Sequence, residues 1–384
     1  MKPNKVTAII LAAGFSSRMN DFKPLLLLGG MTILERAVSL FHQNGISDIQ
    51  VVVGYRSEDL FPLLRSCEAR WVVNESYREG MFSSVIAGIS HLPVDREAFF
   101  LLPVDIPLVR PRTIRDLLKA YPETGKHIVY PTFQGRRGHP PLIAAAFAEE
   151  IRLWKGEGGL RSFLGQYESQ SLEVEVADEY ILRDVDTEAD YQELVLRYPN
   201  YEIPSLMECR VILTKKFPVA SPLLEHCQRV AQVAVHLVEE LNRSGCRLNL
   251  DLVMAAGLLH DMAKGQPDHA KTGERILNAL GFPAVARIVG THRDIFPRKE
   301  GALTEEEVLY LADKIVRGNQ LVPLKESYQI AKKRFASDPQ AGAAAEKRWA
   351  DAFLIQEKVE KKMGRPLEYF FAEQLHNDLF TETW

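Results

Sequence analysis

From Val6 to about Tyr198, short runs rich in β-branched and aromatic residues alternate with amphipathic stretches, and beyond that point the alternation stops. The runs "VTAIILAAG", "DIQVVVG", "ARWVVN", "AFFLLPVD" and "HIVYP" are punctuated by Gly, Pro or Asn and read as strands. Between them, "TILERAVSLFHQNG" and "PRTIRDLLKAYPETG" carry helical periodicity and stop at Gly or Pro. Such an order predicts an α/β first half, with helices on both faces of a mainly parallel sheet. Ligands of these sheets collect beyond the carboxyl ends of the strands, where "LAAGFSSR" and "PVDIP" fall.

After the proline-interrupted segment "YPNYEIPSLMECR", helix-period patterns take over, among them "PLLEHCQRVAQVAVHLVEELNRSG", "LDLVMAAGLLHDMAKG" and "TEEEVLYLADKIVRGN". The second half is therefore expected to be all-α. A chain of 384 residues exceeds what one hydrophobic core supports, and the expected division is 1–200, 208–335 and a C-terminal helical extension over 336–384. Apolar runs stay short of the roughly 18 residues a membrane span needs, and "MKPNKVTAII" lacks a signal-peptide cleavage pattern. A cytoplasmic location is expected, with Cys67, Cys209, Cys227 and Cys246 as reduced, incidental thiols. The net charge of −4 gives no long-range attraction to nucleic acid or anionic membrane, so neither is expected as a partner. Anionic ligands have to be captured locally.

The stretch "LAAGFSSRMNDFKPLL" offers such capture. A Gly-containing turn after a strand points backbone N–H groups inward, and a following helix N-terminus adds a favourable dipole. Arg18 suits a bidentate grip on phosphate oxygens, whereas Lys23 acts as a compact point charge. Asp105, flanked by two prolines at the end of "FFLLPVD", is rigidly presented for Mg²⁺, which favours one or two carboxylates plus substrate phosphates. The competing reading of Asp105 is an N-cap for "RPRTIRDLL", and Asp186 before "TEADY" has a capping alternative too.

This stretch resembles the signature of the nucleotidyltransferase superfamily, most closely the molybdenum cofactor cytidylyltransferases. Further pieces of that family's pattern follow in order: "NESYREGMFSSVIAG", "LLPVDIPLV", "GRRGHPPLI", "GEGGLRSFL" and "DVDTEADY". Together they span nearly all of residues 6–195. The resemblance implies a Rossmann-like fold and a bifunctional chain's first activity, the Mg²⁺-dependent transfer of a nucleotidyl group from CTP (or GTP) to molybdopterin. "LAAG" leans toward CTP, since the Ala13 methyl crowds a purine. Arg18, Lys23 and Asp105 would be catalytic; Leu11, Ala12, Ala13, Gly14, Gly80, Ser83 and Ser84 would hold the nucleotide. Asp105 and Asp186 would bind Mg²⁺, while Arg137, His139 and Arg161, together with Arg136, would receive the acceptor's phosphate. A molybdoenzyme or its chaperone would be the implied partner. Glu157 and Leu160 depart from the family's second glycine-rich motif, which leaves a sugar or alcohol phosphate as the alternative acceptor.

In the second half, His226 shares a helical face with Arg229, "GLLHDMAKG" sets His260 beside Asp261, and "LADKIV" supplies Asp313. A mixed nitrogen and oxygen donor set suits Mn, Fe, Zn or Ni. The ordered pattern of His, His-Asp and Asp resembles the HD superfamily of metal-dependent phosphohydrolases over about residues 220–318. That resemblance implies one or two divalent transition metals on His226, His260, Asp261 and Asp313, with His269 and His292 as extra ligands. Lys264 would either contact substrate phosphate or complement a helix end. The alternative role for this half is a nucleotide-sensing regulatory module.

Overall fold

The computed structural model describes residues 1–15, 19, 21–334 and 339–369. The chain divides into two compact units, one spanning Met1–Pro199 and the other beginning at Asn200. Arg18 lies outside the described residues.

The first unit opens with β1 (Val6–Ala12), buried along its whole length, as expected of a strand covered on both faces. A small antiparallel hairpin, β2 (Leu27–Leu28) and β3 (Met31–Thr32), leads into α1 (Ile33–His42), whose start is fixed by a Thr32–Glu35 capping box. Then come β4 (Asp48–Val53), α2 (Ser57–Ser66), β5 (Arg70–Val73), α3 (Met81–Ile89), β6 (Ala98–Pro103) and α4 (Pro111–Thr124). The unit closes with β7 (Ile128–Phe133), β8 (Arg136–Arg137), β9 (Leu142–Ala144), α5 (Ala148–Leu153), α6 (Gly159–Gly165), β10 (Ser171–Glu175) and α7 (Glu188–Arg197).

The strand order is β10-β7-β9-β6-β1-β4-β5, with β8 paired to β7. All contacts among β6, β1, β4 and β5 are parallel, while β9 runs antiparallel between β6 and β7. Three of these strands, β8, β9 and β10, are absent from the sequence reading; β8 is a pair of exposed arginines. β9 is only three residues long, and β10 is a half-exposed edge strand without a continuous apolar run. Because Leu11 registers with Pro103 and Ala12 with Val53, the ends of β1, β4 and β6 open together. Gly80, directly before α3, has φ 101° and ψ 178°, a combination essentially confined to glycine.

Among its described residues the second unit's regular structure is helical apart from a short hairpin of β11 (Val316–Arg317) and β12 (Gln320–Leu321). Its helices are α8 (Leu206–Val211), α9 (Ser221–Arg243), α10 (Leu250–Leu259), α11 (His269–Leu280), α12 (Pro283–Thr291), α13 (Glu305–Ile315), α14 (Leu324–Arg334) and α15 (Pro339–Met363). α9 and α10 pack closely at Gly257, where an added Cβ would sit 2.6 Å from the Ala231 Cα. α15 packs on α13, fastened by a buried ion pair 2.5 Å long between Lys358 and Glu307. Among the described residues no helix is long and apolar enough to cross a membrane.

Candidate functional site

Past the ends of β1 and β6 lies a crevice of about 290 Å³ lined by Leu11, Ala12, Ala13, Gly14, Lys23, Gly80, Ser84 and Asp105. Lys23 Nζ stands 2.9 Å from Asp186 Oδ1 and 3.8 Å from Asp105 Oδ2. Burial pushes the Asp105 carboxyl above its ordinary range; Lys23 opposes the rise, and Asp186 and Asp184 add to it. A divalent ion suits this group of carboxylates, because it relieves their mutual repulsion and tolerates a partly hydrated, phosphate-completed shell.

The capping alternatives do not describe these two aspartates. The end of α4 is served by Asp178, whose Oδ2 accepts from Arg110 N at 2.8 Å and Thr113 Oγ1 at 2.6 Å. α7 is capped by Thr187 and Asp190, leaving Asp186 to Lys23. Asp184 is an acidic neighbour that sequence reasoning missed. The spacing of "DVD" was its signal, since in an extended segment alternate residues face one way; the intervening Val185 is buried and its N–H bonds to Asp105 O at 2.8 Å.

Ser83 and Ser84 differ in what they leave available. Asn74, buried at the end of β5, donates to Ser83 Oγ at 2.9 Å and to Ser84 Oγ at 3.0 Å. Ser83 then spends its own proton on the carbonyls of Ser76 and Gly80 and does not line the crevice. Ser84 does line it. Ser84→Ala is therefore expected to raise the KM for nucleotide about fivefold, the worth of roughly 1 kcal/mol of hydrogen bonding, while Ser83→Ala leaves it near wild type. Steady-state kinetics on both variants checks this, and equal effects would contradict it. Phe15, Tyr77 and Arg78, also missed from sequence, line the same crevice, with the Phe15 ring 5.0 Å from that of Tyr77.

A cavity of about 910 Å³ adjoins the crevice, sharing Leu11, Met81 and Pro103 with it. Arg136, Arg137, His139 and Arg161 line it. Arg137 is already committed: it binds Glu168, lies 2.7 Å from Glu173 Oε1, and sits over the Tyr130 ring at 4.4 Å. Arg136 and Arg161 are exposed and make no ion pair among the described residues. Burial pushes the His139 imidazole down, so it is neutral near pH 7, and its Nδ1 is buried without a hydrogen-bond partner.

In the second unit, the C-terminal ends of α10, α12 and α13 meet the N-terminal parts of α9 and α11. His226 and His260 each approach Asp313 Oδ1, at 3.4 and 3.6 Å from their Nε2 atoms. Asp261 faces two ways. Its Oδ2 is 3.6 Å from His260 Nε2, while its Oδ1 is 3.2 Å from His269 Nε2 and 3.6 Å from His292 Nε2. Burial works against ionisation of Asp313, but Lys314 and the two histidines hold its carboxyl well below the usual range.

The donor chemistry fits metal ions. The Nδ1 atoms of His226, His260 and His292 lie 2.9, 2.8 and 2.6 Å from the carbonyls of Gly318, Gly257 and Val289. A carbonyl only accepts, so each Nδ1 carries a proton and each ring points its Nε2 into the cluster, where the neutral form would offer a lone pair to a metal. His260 Nε2 is buried with no hydrogen-bond partner. Metal–ligand bonds of about 2.1 Å place neighbouring donors roughly 3–3.4 Å apart, close to the spacings seen. Two overlapping sets result, His226–His260–Asp261 and Asp261–His269–His292, with Asp261 common to both.

A crevice lined by Gly14 beside converging carboxylates, on a mainly parallel sheet, suits a phosphorylated ligand with a divalent ion, and the His/Asp cluster suits transition metals. Comparison with known families names both: residues 8–171 match the MobA-like NTP transferase domain and residues 223–318 match the HD domain. The chain thus carries a MobA-like NTP transferase domain followed by an HD domain. The bifunctional IPC transferase and DIPP synthase of Rubrobacter xylanophilus is 37% identical over 120 residues, covering 30% of this chain but only 27% of that protein. The molybdenum cofactor cytidylyltransferase of Escherichia coli is 29% identical over 194 residues, covering 50% of this chain and 97% of the relative. The nicotine blue oxidoreductase of Paenarthrobacter nicotinovorans is 29% identical over 189 residues, covering 47% of this chain and 92% of the relative.

Proposed function

We propose that the first unit transfers a cytidylyl group from CTP to the phosphate of molybdopterin, releasing pyrophosphate, and that the second unit is a metal-dependent phosphohydrolase. The observation that carries the reading is the junction of the two cavities, at Leu11 and Pro103, beside Asp105. CTP would occupy the smaller crevice, its base against Ser84 and its phosphates over Gly14 and Lys23. The acceptor would enter from the larger cavity, its phosphate received by Arg136 and Arg161 rather than by the already paired Arg137, and its ring system beside neutral His139. An acceptor phosphate oxygen then bonds to the α-phosphorus as the bond to pyrophosphate breaks. Lys23, drawn from Asp186, neutralises the departing charge, and Asp105 and Asp186 are the residues that would hold Mg²⁺, which supplies further neutralisation of the phosphoryl oxygens. A general base is unnecessary for a phosphate nucleophile that is already ionised.

The molybdenum cofactor cytidylyltransferase of E. coli supports this acceptor by its name and by its near-complete coverage. The departures at Glu157 and Leu160, and the neutralised Arg137, favour a second reading in which a sugar or alcohol phosphate is the acceptor and the HD domain senses nucleotide. Pyrophosphate release measured with CTP or GTP against each acceptor decides between them. The proposal expects release with CTP and molybdopterin; turnover confined to a sugar or alcohol phosphate would replace it.

A further inference from the structure

The cavity over the His/Asp cluster, about 280 Å³, is not built by the HD-matching segment alone. Ala331 of α14 and Ala345, Arg348 and Trp349 of α15 form one of its walls. These residues are held firmly. Arg348 grips Asp294 through Nε at 2.8 Å and Nη2 at 3.3 Å, its carbonyl accepts from the buried Tyr310 hydroxyl at 3.0 Å, and the Trp349 ring lies 5.9 Å from that of Tyr328.

The charges lining this cavity are one-sided. Apart from Asp261 and Asp313, which belong to the cluster itself, every charged side chain on its wall among the described residues is cationic: Lys264, Arg293, Lys314 and Arg348. Lys264 and Lys314 lie 2.5 and 2.6 Å from the two cluster carboxylates, positions from which they can also meet an anion docked on the cluster. Arg293 makes no ion pair among the described residues and lines both this cavity and a neighbouring one of about 770 Å³. A phosphoryl group held by the smaller cavity thus has space beside it for an organic substituent. Among the described residues Trp349 is the one non-histidine aromatic side chain on the wall and gives that substituent a flat surface; Ala331 and Ala345 present only small side chains there.

We propose that Arg348 and Trp349 are substrate-binding residues of the hydrolytic centre, Arg348 contacting the phosphoryl group through Nη1, the nitrogen its pairing with Asp294 does not engage, and Trp349 stacking on a planar ring of the leaving alcohol. The substrate class is then a phosphate monoester of a ring-bearing alcohol, such as a nucleoside 5′-monophosphate. In the reaction a water oxygen bonds to phosphorus, the ester P–O bond breaks, and the proton lost by water ends on the alcohol oxygen. The proposal rests on the phosphohydrolase reading of the second unit.

Calorimetric titration of the full-length, metal-loaded chain with phenylphosphonate and methylphosphonate tests it, because these non-hydrolysable probes differ only in the ring. Wild type is expected to bind phenylphosphonate about tenfold more tightly, in line with aromatic stacking. Trp349→Ala should erase that preference with metal content unchanged, and Trp349→Phe should keep most of it. Arg348→Ala should weaken both probes by at least about tenfold, as for loss of a charge-assisted contact. Binding without ring preference, or a preference that survives Trp349→Ala, overturns the proposal alone. Failure of both probes to bind the metal-loaded wild type overturns the hydrolase reading and this proposal with it.

Discussion

Replacing Asp105 by Asn is expected to lower nucleotidyl transfer by at least about a thousandfold, the scale of losing metal-assisted charge neutralisation, without unfolding the first unit. The fold is spared because Asp105 makes its structural bond through its carbonyl, which accepts from Val185 N at 2.8 Å and is untouched by the change. The pH dependence follows from the raised carboxyl. Burial, with Asp186 and Asp184, lifts the folded value above the ordinary one despite Lys23. A group raised on folding contributes stability that is fully present below its unfolded value and is lost as pH rises through the folded value. In metal-free protein near neutral pH, Asp105→Asn should therefore melt at or above the wild-type temperature, and the difference should vanish on acidification below about pH 4. Mg²⁺ should raise the melting temperature of wild type more than that of the variant. Full activity of the variant with Mg²⁺ would remove Asp105 from the mechanism.

The second large effect is expected in the other unit. Asp261 offers one oxygen to the His226–His260 side and the other to His269 and His292. Asp261→Ala should consequently strip both metal positions, and His292→Ala should strip one. Elemental analysis of purified protein reads this as a fall from two equivalents to none and from two to one. Nucleotidyl transfer should persist in both variants, because the transferase residues lie in the first compact unit. Unchanged metal content in Asp261→Ala would refute the assignment.

The contrast between what sequence reveals and what it hides has a physical basis here. The parallel core strands are continuous apolar runs because both faces are covered, and β1 is buried end to end. β10 is an edge strand and β9 a three-residue insertion, so neither carries enough pattern to be seen. His260 and Asp261 were legible because adjacent His and Asp on an apolar helix are hard to explain by packing, whereas His226, His269, His292 and Asp313 came from the resemblance to the HD superfamily. The contribution of Arg348 and Trp349 was hidden, since α15 reads as a charged surface helix until its face over the cluster is known. Ser83 and Ser84 looked equivalent in sequence; only the bonds from Asn74 and to the carbonyls of Ser76 and Gly80 separate them.

A crystal structure of the chain grown with CTP and Mg²⁺ tests the central claim most directly, namely that the crevice between Gly14 and Asp105 is the nucleotide site. The expected result is a triphosphate against Lys23, the cytosine beside Ser84, and an ion on the Asp105 carboxylate. Nucleotide bound away from this crevice, with Lys23 still clasping Asp186, would contradict it.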